Sequence, residues 1–462
     1  MKIKLGKTEQ IHFTGIGGIG MSGLALIMKE LGFRVQGSDI SLNKNIERLK
    51  KNRIRVFIGH KISNLDKTTI LVKSSAIKKN NSEILFSKRK KIPIYSRGDM
   101  LGHVVSLMKN IVVAGSHGKT TTTSLISNIF STAKIDPTVI NGGVLNSFGN
   151  SAKLGKSNWC ILESDESDGS FLKIPPTYSI VTNIDKEHLD FYKSMNNLKS
   201  KFVKFIEKTP SFGKSFICLD NKNNREILRN VKNINYNTYG FHKNSNFQII
   251  NVIKKKELSL FDLKIKTPES KPRFIRKITV PTIGMHNIRN ATAAIAVATS
   301  VGITNDIIKK SLSNFKGVQR RFTKIFNYRN IPFFDDYAHH PTEIKSVLKS
   351  MKKISAERKI ISVFQPHRYS RLKLLKNEFA SSFQDSNVVI LCPVFSAGEK
   401  IDKNYDTFKF ADLISKKSNV QVITVENQKD LKNFFKKNLI SNELVLCMGA
   451  GSISKWIREM EL

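Results

Sequence analysis

The stretch GSHGKTTTT at residues 115–123 carries the strongest signal in this chain. It closes the apolar run IVVA (111–114) and opens a segment whose apolar residues recur at helical spacing. Glycines let the backbone N–H groups of such a loop turn toward an anion, and the N-terminus of the following helix attracts negative charge. Lys119 adds a positive charge, and the hydroxyl of Thr120 can reach a magnesium ion held by the same phosphates. The stretch therefore predicts a nucleotide triphosphate site.

One residue departs from the strict P-loop pattern, because Val113 stands where that pattern has the first of its two glycines. A glycine-rich turn that only caps a helix is the alternative interpretation. Strand, loop, Lys-Thr pair and helix nevertheless follow one another in the order that phosphate binding requires. This order favours the nucleotide site.

The composition of the chain limits the class of protein. Its 462 residues are enough for roughly three domains. Its 77 Lys and Arg residues against 37 Asp and Glu give a net charge of +40. Such a charge is typical of a nucleic-acid or membrane partner, or of a compositional drift toward Lys, Asn and Ile. The lysines are scattered and are not interleaved with aromatic residues, which favours drift. We therefore expect no nucleic-acid partner.

Cysteine spacing and hydropathy indicate where the protein works. Four cysteines lie far apart without the spacing of a metal knuckle: Cys160, Cys218, Cys392 and Cys447. This usage is typical of a reducing compartment. No run of eighteen apolar residues is present, so we expect no membrane insertion and a cytoplasmic location. The sequence leaves open whether the protein is a monomer or a homodimer.

A second glycine motif lies near the N-terminus. The run 10–14 is typical of a strand, GIGGIG (15–20) follows it, and a helical pattern continues to Gly32. Asp39 comes directly after the next strand-like run (34–38), where an acid can hold a ribose. The pattern is that of a NAD or FAD site, but the same turn accepts any diphosphate, including that of a UDP-sugar.

The middle of the chain supplies candidate metal and nucleotide contacts. The strand-like run WCILE (159–163) leads into ESDESDGSF (163–171), which is either a solvated acidic loop or, because it follows a strand beside the phosphate-binding strand, a magnesium site. His188 also follows a strand-like run. In an Ala-rich predicted helix further on, His286 and Asn290 lie four residues apart on one face, where they can contact a nucleotide.

Beyond a boundary near residues 314–321, strand and helix patterns alternate regularly. IPFFDD (331–336) is strand-like, and Pro341 is placed as the first residue of a helix. Later strand-like runs also lead into polar loops, which predicts a second doubly wound sheet with its active loops at one edge. Arg368 and Arg371 follow one of these strands three residues apart, so they can face one pocket and clamp a carboxylate.

Taken together, the motifs resemble the Mur ligase family from one end of the chain to the other. They occur in order across all three predicted domains, and they are FTGIGGIGMSGLA (13–25), SSAI (74–77), GSHGKTTTT (115–123), ESDESDGSFL (163–172), TNIDKEHLD (182–190), HNIRNA (286–291), DDYAHHPTE (335–343), FQPHRYSR (364–371), AGE (397–399) and GAGS (449–452).

The resemblance implies an α/β protein of three domains. These are a Rossmann-like UDP-binding domain (1–108), a central P-loop-type ATP-binding domain (109–318) and a Rossmann-like amino-acid-binding domain (319–462). It also implies that ATP, with Mg²⁺, converts the lactyl carboxylate of UDP-N-acetylmuramate into an acyl phosphate, which L-alanine then attacks. ATP and Mg²⁺ would be the cofactors of this reaction, and UDP-N-acetylmuramate and L-alanine the substrates.

Site residues follow from the same resemblance, position by position. UDP-sugar binding falls on Gly15, Gly17, Gly18, Ile19, Gly20, Met21, Ser38, Asp39 and Ser75. ATP binding falls on Gly115, Ser116, His117, Gly118, Lys119, Thr120, Thr121, His286, Asn290, Arg320, Arg321 and Asp336. The magnesium site falls on Thr120, Glu163 and His188, and the L-alanine pocket on Tyr337, His339, Arg368 and Arg371. The expected catalytic residues are Lys119, His339, Arg368 and Arg371, with His339 as a candidate acceptor of the amine proton.

Two positions depart from the family pattern, and three other functions compete with it. Asp99 stands where relatives carry a glutamate, and Ser452 where an acid usually follows the last GAG. A dehydrogenase would leave the Lys-Thr loop and the two arginines without a role. A nucleic-acid-binding ATPase would leave the YAHHPTE and HRYSR loops without one. A family member that attaches a whole tripeptide needs a more open amino-acid pocket.

Overall fold

A computed structural model describes residues 9–106, 108–143, 146, 152–232, 235–254, 258–268, 271–355 and 357–460. The described residues form three β-sheets, with helices in the connections between most of the strands. An α/β chain with three sheets confirms the predicted fold class. The domain boundaries at residues 108 and 318 stay predictions.

Two compact units share the chain. The first comprises Met1–Ile253, Leu260–Val280 and Ile288–Lys316, and the second comprises Lys254–Ser259, Pro281–Asn287 and Gly317–Leu462.

The first sheet contains five parallel strands. They are β1 (Gln10–Thr14), β2 (Arg34–Asp39), β3 (Arg55–Ile58), β4 (Ile70–Lys73) and β5 (Ile94–Ser96), in the order β3-β2-β1-β4-β5. The helices of this region are α1 (Ile19–Glu30), α2 (Lys44–Lys51), α3 (Ser82–Arg89) and α4 (Arg97–Val105), with a short 3-10 helix at Ile62–Leu65. The reversal of strand order beside β1 opens a crevice at the carboxyl ends of β1 and β4.

In the part of the chain that the structure describes, the second sheet contains ten strands. They are β6 (Lys109–Ala114), β7 (Thr138–Ile140), β8 (Ala152–Lys153), β9 (Trp159–Glu163), β10 (Tyr178–Val181), β11 (Lys214–Cys218), β12 (Tyr236–Gly240), β13 (Phe247–Lys254), β14 (Ser259–Ile265) and β15 (Arg273–Val280). Their order is β15-β14-β13-β12-β11-β10-β6-β9-β7-β8. The helices are α5 (Lys119–Thr132), α6 (Leu189–Tyr192), α7 (Met195–Glu207), α8 (Lys222–Leu228), α9 (Met285–Val301) and α10 (Asn305–Ser313), with a 3-10 helix at Ser170–Lys173.

The third sheet contains six strands. They are β16 (Thr323–Tyr328), β17 (Ile331–Asp336), β18 (Lys359–Phe364), β19 (Val388–Leu391), β20 (Gln421–Thr424) and β21 (Glu443–Met448), in the order β16-β17-β21-β18-β19-β20. Its helices are α11 (Pro341–Ile354), α12 (Tyr369–Leu374), α13 (Lys376–Ala380), α14 (Thr407–Ser418), α15 (Gln428–Asn438) and α16 (Ile453–Arg458). Apart from the antiparallel edge pair β16–β17, the strands are parallel.

Parallel strands are formed by continuous apolar runs where both faces of the sheet are covered. On β18, Ile360 and Phe364 belong to one buried cluster, whereas Ile361 and Val363 belong to another on the opposite face. In the first unit, one core cluster includes Phe13 of β1 and Val112 of β6. Among the described residues, no helix is both long and apolar enough to cross a bilayer.

Candidate active site

The phosphate loop (residues 115–119) curls between β6 and α5. Gly115 has φ +128° and Gly118 has φ +82°, values that L side chains rarely adopt. A Cβ at Gly115 would also collide with the hydroxyl of Thr182. The backbone N–H of His117 donates to Asn183 Oδ1 at 2.9 Å, and that of Ser116 to the Asn183 carbonyl at 2.9 Å. The residues that follow β10 therefore fix the shape of the phosphate loop.

The Lys119 side chain is held by a backbone carbonyl of the phosphate loop and by a buried carboxylate. Its Nζ donates to the Gly115 carbonyl at 2.6 Å and lies 2.9 Å from Oε2 of Glu166, whose side chain is 1% exposed. The phenol of Tyr192 donates to the backbone carbonyl of Glu166. Burial raises the pKa of the Glu166 carboxyl to about 7, although the positive charge of Lys119 acts in the opposite direction. In the sequence, Glu166 is recognisable only as one member of an acidic run, because spacing does not show which carboxylate meets the lysine.

The predicted magnesium residues fall into two groups. Thr120 Oγ1 donates to Glu163 Oε2 at 2.8 Å, and the same oxygen accepts the N–H of Gly142 at 2.9 Å. His188, in the left-handed conformation with φ 57°, lies instead beside Glu166, with 3.9 Å between Nε2 and Oε1. Ligand atoms of Asp165, Glu166 and His188 all lie within 4.8 Å of one another. The structure thus brings Thr120 and Glu163 together and places His188 in a neighbouring group.

Other predicted nucleotide contacts are distributed over the two units. Thr121 is buried in the first turn of α5, and Asn290 packs against Gly118, where a Cβ would lie 2.6 Å from Asn290 Oδ1. His286 Nδ1 lies 2.8 Å from the hydroxyl of Ser346, and both belong to the second unit.

The N-terminal glycine loop (residues 15–20) is held by the end of β2. The N–H of Gly15 donates to the Ser38 carbonyl at 2.8 Å, and the N–H of Gly17 donates to Asp39 Oδ2 at 2.7 Å. Asp39 Oδ1 accepts the N–H of Ile40 at 2.8 Å. Both Asp39 oxygens therefore accept backbone amides, one of them from the loop itself. The remaining UDP-sugar candidates are exposed or partly exposed Gly18, Ile19, Gly20 and Ser75, and buried Met21.

A buried polar network beneath this loop was not predicted. Glu83 of α3, with no exposed side chain, accepts hydrogen bonds from Ser38 Oγ at 2.7 Å, Thr14 Oγ1 at 2.8 Å and Asn64 Nδ2 at 2.8 Å. Its Oε2 also lies 3.2 Å from Nε2 of His12. Burial acts to raise the Glu83 pKa, but His12 and these hydrogen bonds outweigh it and lower the pKa to about 2. Glu83 follows the polar run KKNNS, which gives no sign of a buried acid.

In the second unit, two arginines stack on one aromatic ring. The guanidinium carbons of Arg320 and Arg321 lie 4.7 and 5.4 Å from the ring centroid of Tyr337. Arg320 also donates to the Gly449 carbonyl at 2.6 Å, and Arg321 lies 3.7 Å from Glu343. Tyr337 in turn makes an edge contact with His339, with ring centroids 5.1 Å apart.

The predicted amino-acid pocket residues gather around His367, which the sequence analysis did not assign. The rings of His339 and His367 are 5.8 Å apart, and Phe395 stacks on His367 at 5.6 Å. Arg371 donates to His367 Nδ1 at 3.3 Å. Burial lowers the His367 pKa to about 3, and the neighbouring His339, Arg371 and Arg368 act in the same direction, so the His367 ring is neutral near pH 7. Its signal in the sequence was only its position beside Arg368.

Three further positions have local structural partners. Asp336 accepts the N–H groups of Phe322 at 2.7 Å and Ala338 at 2.8 Å, and burial raises its pKa to about 6. Asp99 caps α4 through Ser96 and lies 2.7 Å from Lys173. Ser452 Oγ accepts from Gln365 Nε2 at 3.0 Å. The two residues that depart from the family pattern, Asp99 and Ser452, therefore both have polar partners within their own surroundings in the structure.

Comparisons with known proteins assign this architecture to a class. Three family models match consecutive parts of the chain: "Mur ligase family, catalytic domain" over residues 10–108, "Mur ligase middle domain" over 113–298, and "Mur ligase, glutamate ligase domain" over 320–451. The chain belongs to the Mur ligase family.

Similar proteins narrow the comparison. The UDP-N-acetylmuramate–L-alanine ligase of Pelagibacter ubique is 60% identical over 460 residues, which covers 100% of this chain and 99% of that protein. The enzyme of the same name from Brucella ovis is 38% identical over 96% of this chain and 95% of its own length. The crystal structure of UDP-N-acetylmuramate-alanine ligase from Thermotoga maritima superimposes with a TM-score of 0.81 at 27% identity, covering 97% of each chain.

The buried Glu83 network generates a prediction about stability. Glu83→Gln should lower the free energy of unfolding of the first unit by about 3–5 kcal/mol, because a neutral amide replaces the buried carboxylate that accepts hydrogen bonds from Ser38, Thr14 and Asn64. Glu30→Gln, an exposed position at the end of α1, is the matched control and should stay within about 0.5 kcal/mol. Denaturant or calorimetric unfolding at pH 7 measures both.

The same substitution should show a defined dependence on pH. Because the folded carboxyl has a pKa of about 2 against a usual 4.5, its stabilisation is complete above about pH 5 and is lost as the pH falls toward 2. The difference between wild type and Glu83→Gln should therefore shrink across this window. A difference that stays constant from pH 7 to pH 3 would contradict the assignment.

Proposed function

We propose that this chain is an ATP-dependent ligase that joins L-alanine to the lactyl carboxylate of UDP-N-acetylmuramate, giving UDP-N-acetylmuramoyl-L-alanine, ADP and phosphate in peptidoglycan synthesis. The observation that carries this proposal is the 60% identity, over the whole chain, to a protein named for that reaction. The phosphate loop with Lys119 and the arginine-rich cluster around His367 supply groups that the chemistry needs.

The reaction needs activation and charge neutralisation. Forming an amide from a carboxylate is unfavourable in water, so ATP first converts the carboxylate to an acyl phosphate. Both reactants of that step are anionic, and Lys119, whose Nζ donates to the Gly115 carbonyl at the N-terminus of α5, would offset their repulsion. The amides of the phosphate loop, with Ser116, His117 and Thr121, would cradle the phosphates.

A magnesium ion fits the donor set beside the phosphate loop. Thr120 and Glu163 offer a hydroxyl and a carboxylate oxygen 2.8 Å apart, and hard oxygen donors are what Mg²⁺ prefers. We infer that these two residues hold the ion and that His188 lies near it. When bound, the ion would neutralise phosphate charge. His286, Asn290, Arg320, Arg321 and Asp336 stay predicted ATP contacts.

The amino acid would bind in the second unit. Arg368 and Arg371 follow β18, and guanidinium groups can grip a carboxylate through two parallel hydrogen bonds. His339 Nδ1 lies 2.9 Å from the Tyr337 carbonyl, which can only accept, so Nδ1 carries the proton and Nε2 is the basic nitrogen of the neutral ring. We infer that this nitrogen takes the proton that the α-amine loses on attack.

The glycine loop after β1 would bind the UDP diphosphate through its amides. In this arrangement Asp39 and Ser38 shape the loop through Gly17 and Gly15. We expect a cytoplasmic enzyme without a nucleic-acid partner, either a monomer or a homodimer.

A substrate comparison tests the function. Purified protein with ATP, Mg²⁺ and UDP-N-acetylmuramate should release phosphate and form the product when L-alanine is added, as followed by mass spectrometry. L-serine and glycine measure the selectivity of the pocket. Faster turnover with L-Ala-D-Glu-meso-diaminopimelate than with L-alanine would overturn the proposal in favour of tripeptide ligation. Tight calorimetric binding of NAD would favour a dehydrogenase.

Lys119 should be essential for ligation. Lys119→Ala removes the charge that offsets phosphate repulsion and should reduce product formation more than about a hundredfold. UDP-N-acetylmuramate should still bind with nearly unchanged calorimetric affinity, which also shows that the protein is folded. Lys204→Ala, an exposed position in α7, is the control. If Lys119→Ala kept more than about a tenth of the wild-type turnover, the role assigned to Lys119 would be wrong.

The two arginines should govern the KM for L-alanine. Arg368→Lys and Arg371→Lys each replace a planar fork by a point charge, at a cost of roughly 1.5–3 kcal/mol. Each variant should raise the KM for L-alanine more than about tenfold and leave the KM for ATP nearly unchanged.

Arg358→Lys, an exposed position before β18, serves as the control for these variants. An equal rise in both KM values would move the arginines to the phosphate site. No change in either KM would indicate that the two arginines belong to the general basic surface and do not bind the amino acid.

A further inference from the structure

Arg368 has an unusual backbone for a residue with a side chain. Its φ of 71° and ψ of 127° lie outside the regions that L residues favour, so the backbone is strained at this position. The conformation is held by neighbours, since the Arg368 N–H donates to the Phe395 carbonyl at 2.9 Å and the Leu372 N–H donates to the Arg368 carbonyl at 3.1 Å. Strain of this kind concentrates where the direction of a side chain matters.

The loop after β19 brings a carboxylate to this arginine. Ala397 and Gly398 both have positive φ, 50° and 87°, and so turn the chain at this point. Glu399 follows, with its Oε1 3.0 Å from Arg368 Nε. Glu399 also accepts the backbone N–H of Ser370 at 3.1 Å and the Ser370 hydroxyl. One carboxylate thus contacts both the guanidinium and the first turn of α12.

We propose that Glu399 is a positioning residue that aims Arg368 at the carboxylate of the amino-acid substrate; this inference rests on the proposed function. Arg368 pairs with Glu399 through Nε, which lies 3.0 Å from Oε1 without the geometry of an N–H hydrogen bond. Among the described residues, Glu399 accepts hydrogen bonds from Ser370 and none from the two terminal nitrogens of the guanidinium. Those nitrogens form the fork that binds a carboxylate through two parallel bonds. A carboxylate behind the guanidinium therefore fixes the direction of the fork without contacting the substrate.

A positioning role and a purely electrostatic role for Glu399 predict opposite changes in the KM for the amino acid. Arg371, His339 and Arg368 already surround His367, and the Glu399 carboxylate lies next to Arg368. Glu399→Gln removes that negative charge, so a purely electrostatic effect would lower the KM for a substrate carboxylate. Loss of positioning would raise it. The sign of the change therefore separates the two effects.

A capping role for Glu399 is the structural alternative, since it also accepts from Ser370. Ser370→Ala removes the hydroxyl contact and leaves the carboxylate beside Arg368. If Glu399 only stabilises α12, Ser370→Ala should resemble Glu399→Gln. Glu459→Gln, an exposed acid after α16, is the matched charge control.

The experiment compares steady-state kinetics of wild type, Glu399→Gln, Arg368→Lys, the double variant, Ser370→Ala and Glu459→Gln. Glu399→Gln should raise the KM for L-alanine about fivefold, with kcat and the KM for ATP changed less than about twofold. In the Arg368→Lys background the same substitution should add less than about twofold, because residues that act through one another are not additive. Ser370→Ala and Glu459→Gln should stay within about twofold of wild type.

Three results would overturn the inference: an unchanged or lower KM in Glu399→Gln, independent effects in the double variant, or an equal rise in Ser370→Ala. Failure of the proposed function looks different, because the wild type itself would then prefer another amine. In that event the same comparison is made on the KM for the preferred amine, so the role of Glu399 is still decided.

Discussion

The ion pair between Lys119 and Glu166 is the interaction around which the central site is built. Taking a carboxylate out of water is costly, and burial raises the pKa of Glu166 even though the positive charge of Lys119 opposes that rise. The pair joins the N-terminus of α5 to the loop after β9, while Asn183 joins the phosphate loop to the segment after β10. A positive charge is thereby fixed in place before any nucleotide binds, and preorganised charge is what stabilises a developing anion most effectively.

One device recurs at the carboxyl edge of all three sheets. A glycine turn follows a strand, and a side chain at the end of a neighbouring strand accepts a backbone N–H of the turn or of the helix it opens. Asp39 accepts from Gly17, and Asn183 accepts from His117. In the third sheet Gln365 accepts from Ile453, just after GAGS. In each sheet the accepting strand lies beside the strand that carries the turn, so the topology itself supplies the brace.

What the sequence could predict follows from the range of each signal. Hydrophobic patterning placed the strands WCILE (159–163) and IPFFDD (331–336) correctly, and Pro341 does begin α11, because these signals are local. Glu83, by contrast, meets Ser38 across 45 residues of sequence, and Glu399 meets Ser370 across 29. Such pairings depend on strand order, which composition and spacing do not reveal. The family resemblance identified the motifs by position. It did not show which carboxylate contacts which lysine, arginine or histidine side chain.

The acids that hold bases also explain how a chain with a net charge of +40 builds specific sites. Asp335, fully buried, accepts from Arg458 at 2.9 Å, just as Glu166 meets Lys119 and Glu83 meets His12. A cation placed among many others has no fixed direction unless an anion or an acceptor orients it. With lysine and arginine abundant and acids scarce, direction comes from the few buried or half-buried carboxylates. Substituting one of them should therefore disturb this protein far more than substituting one of its many exposed lysines.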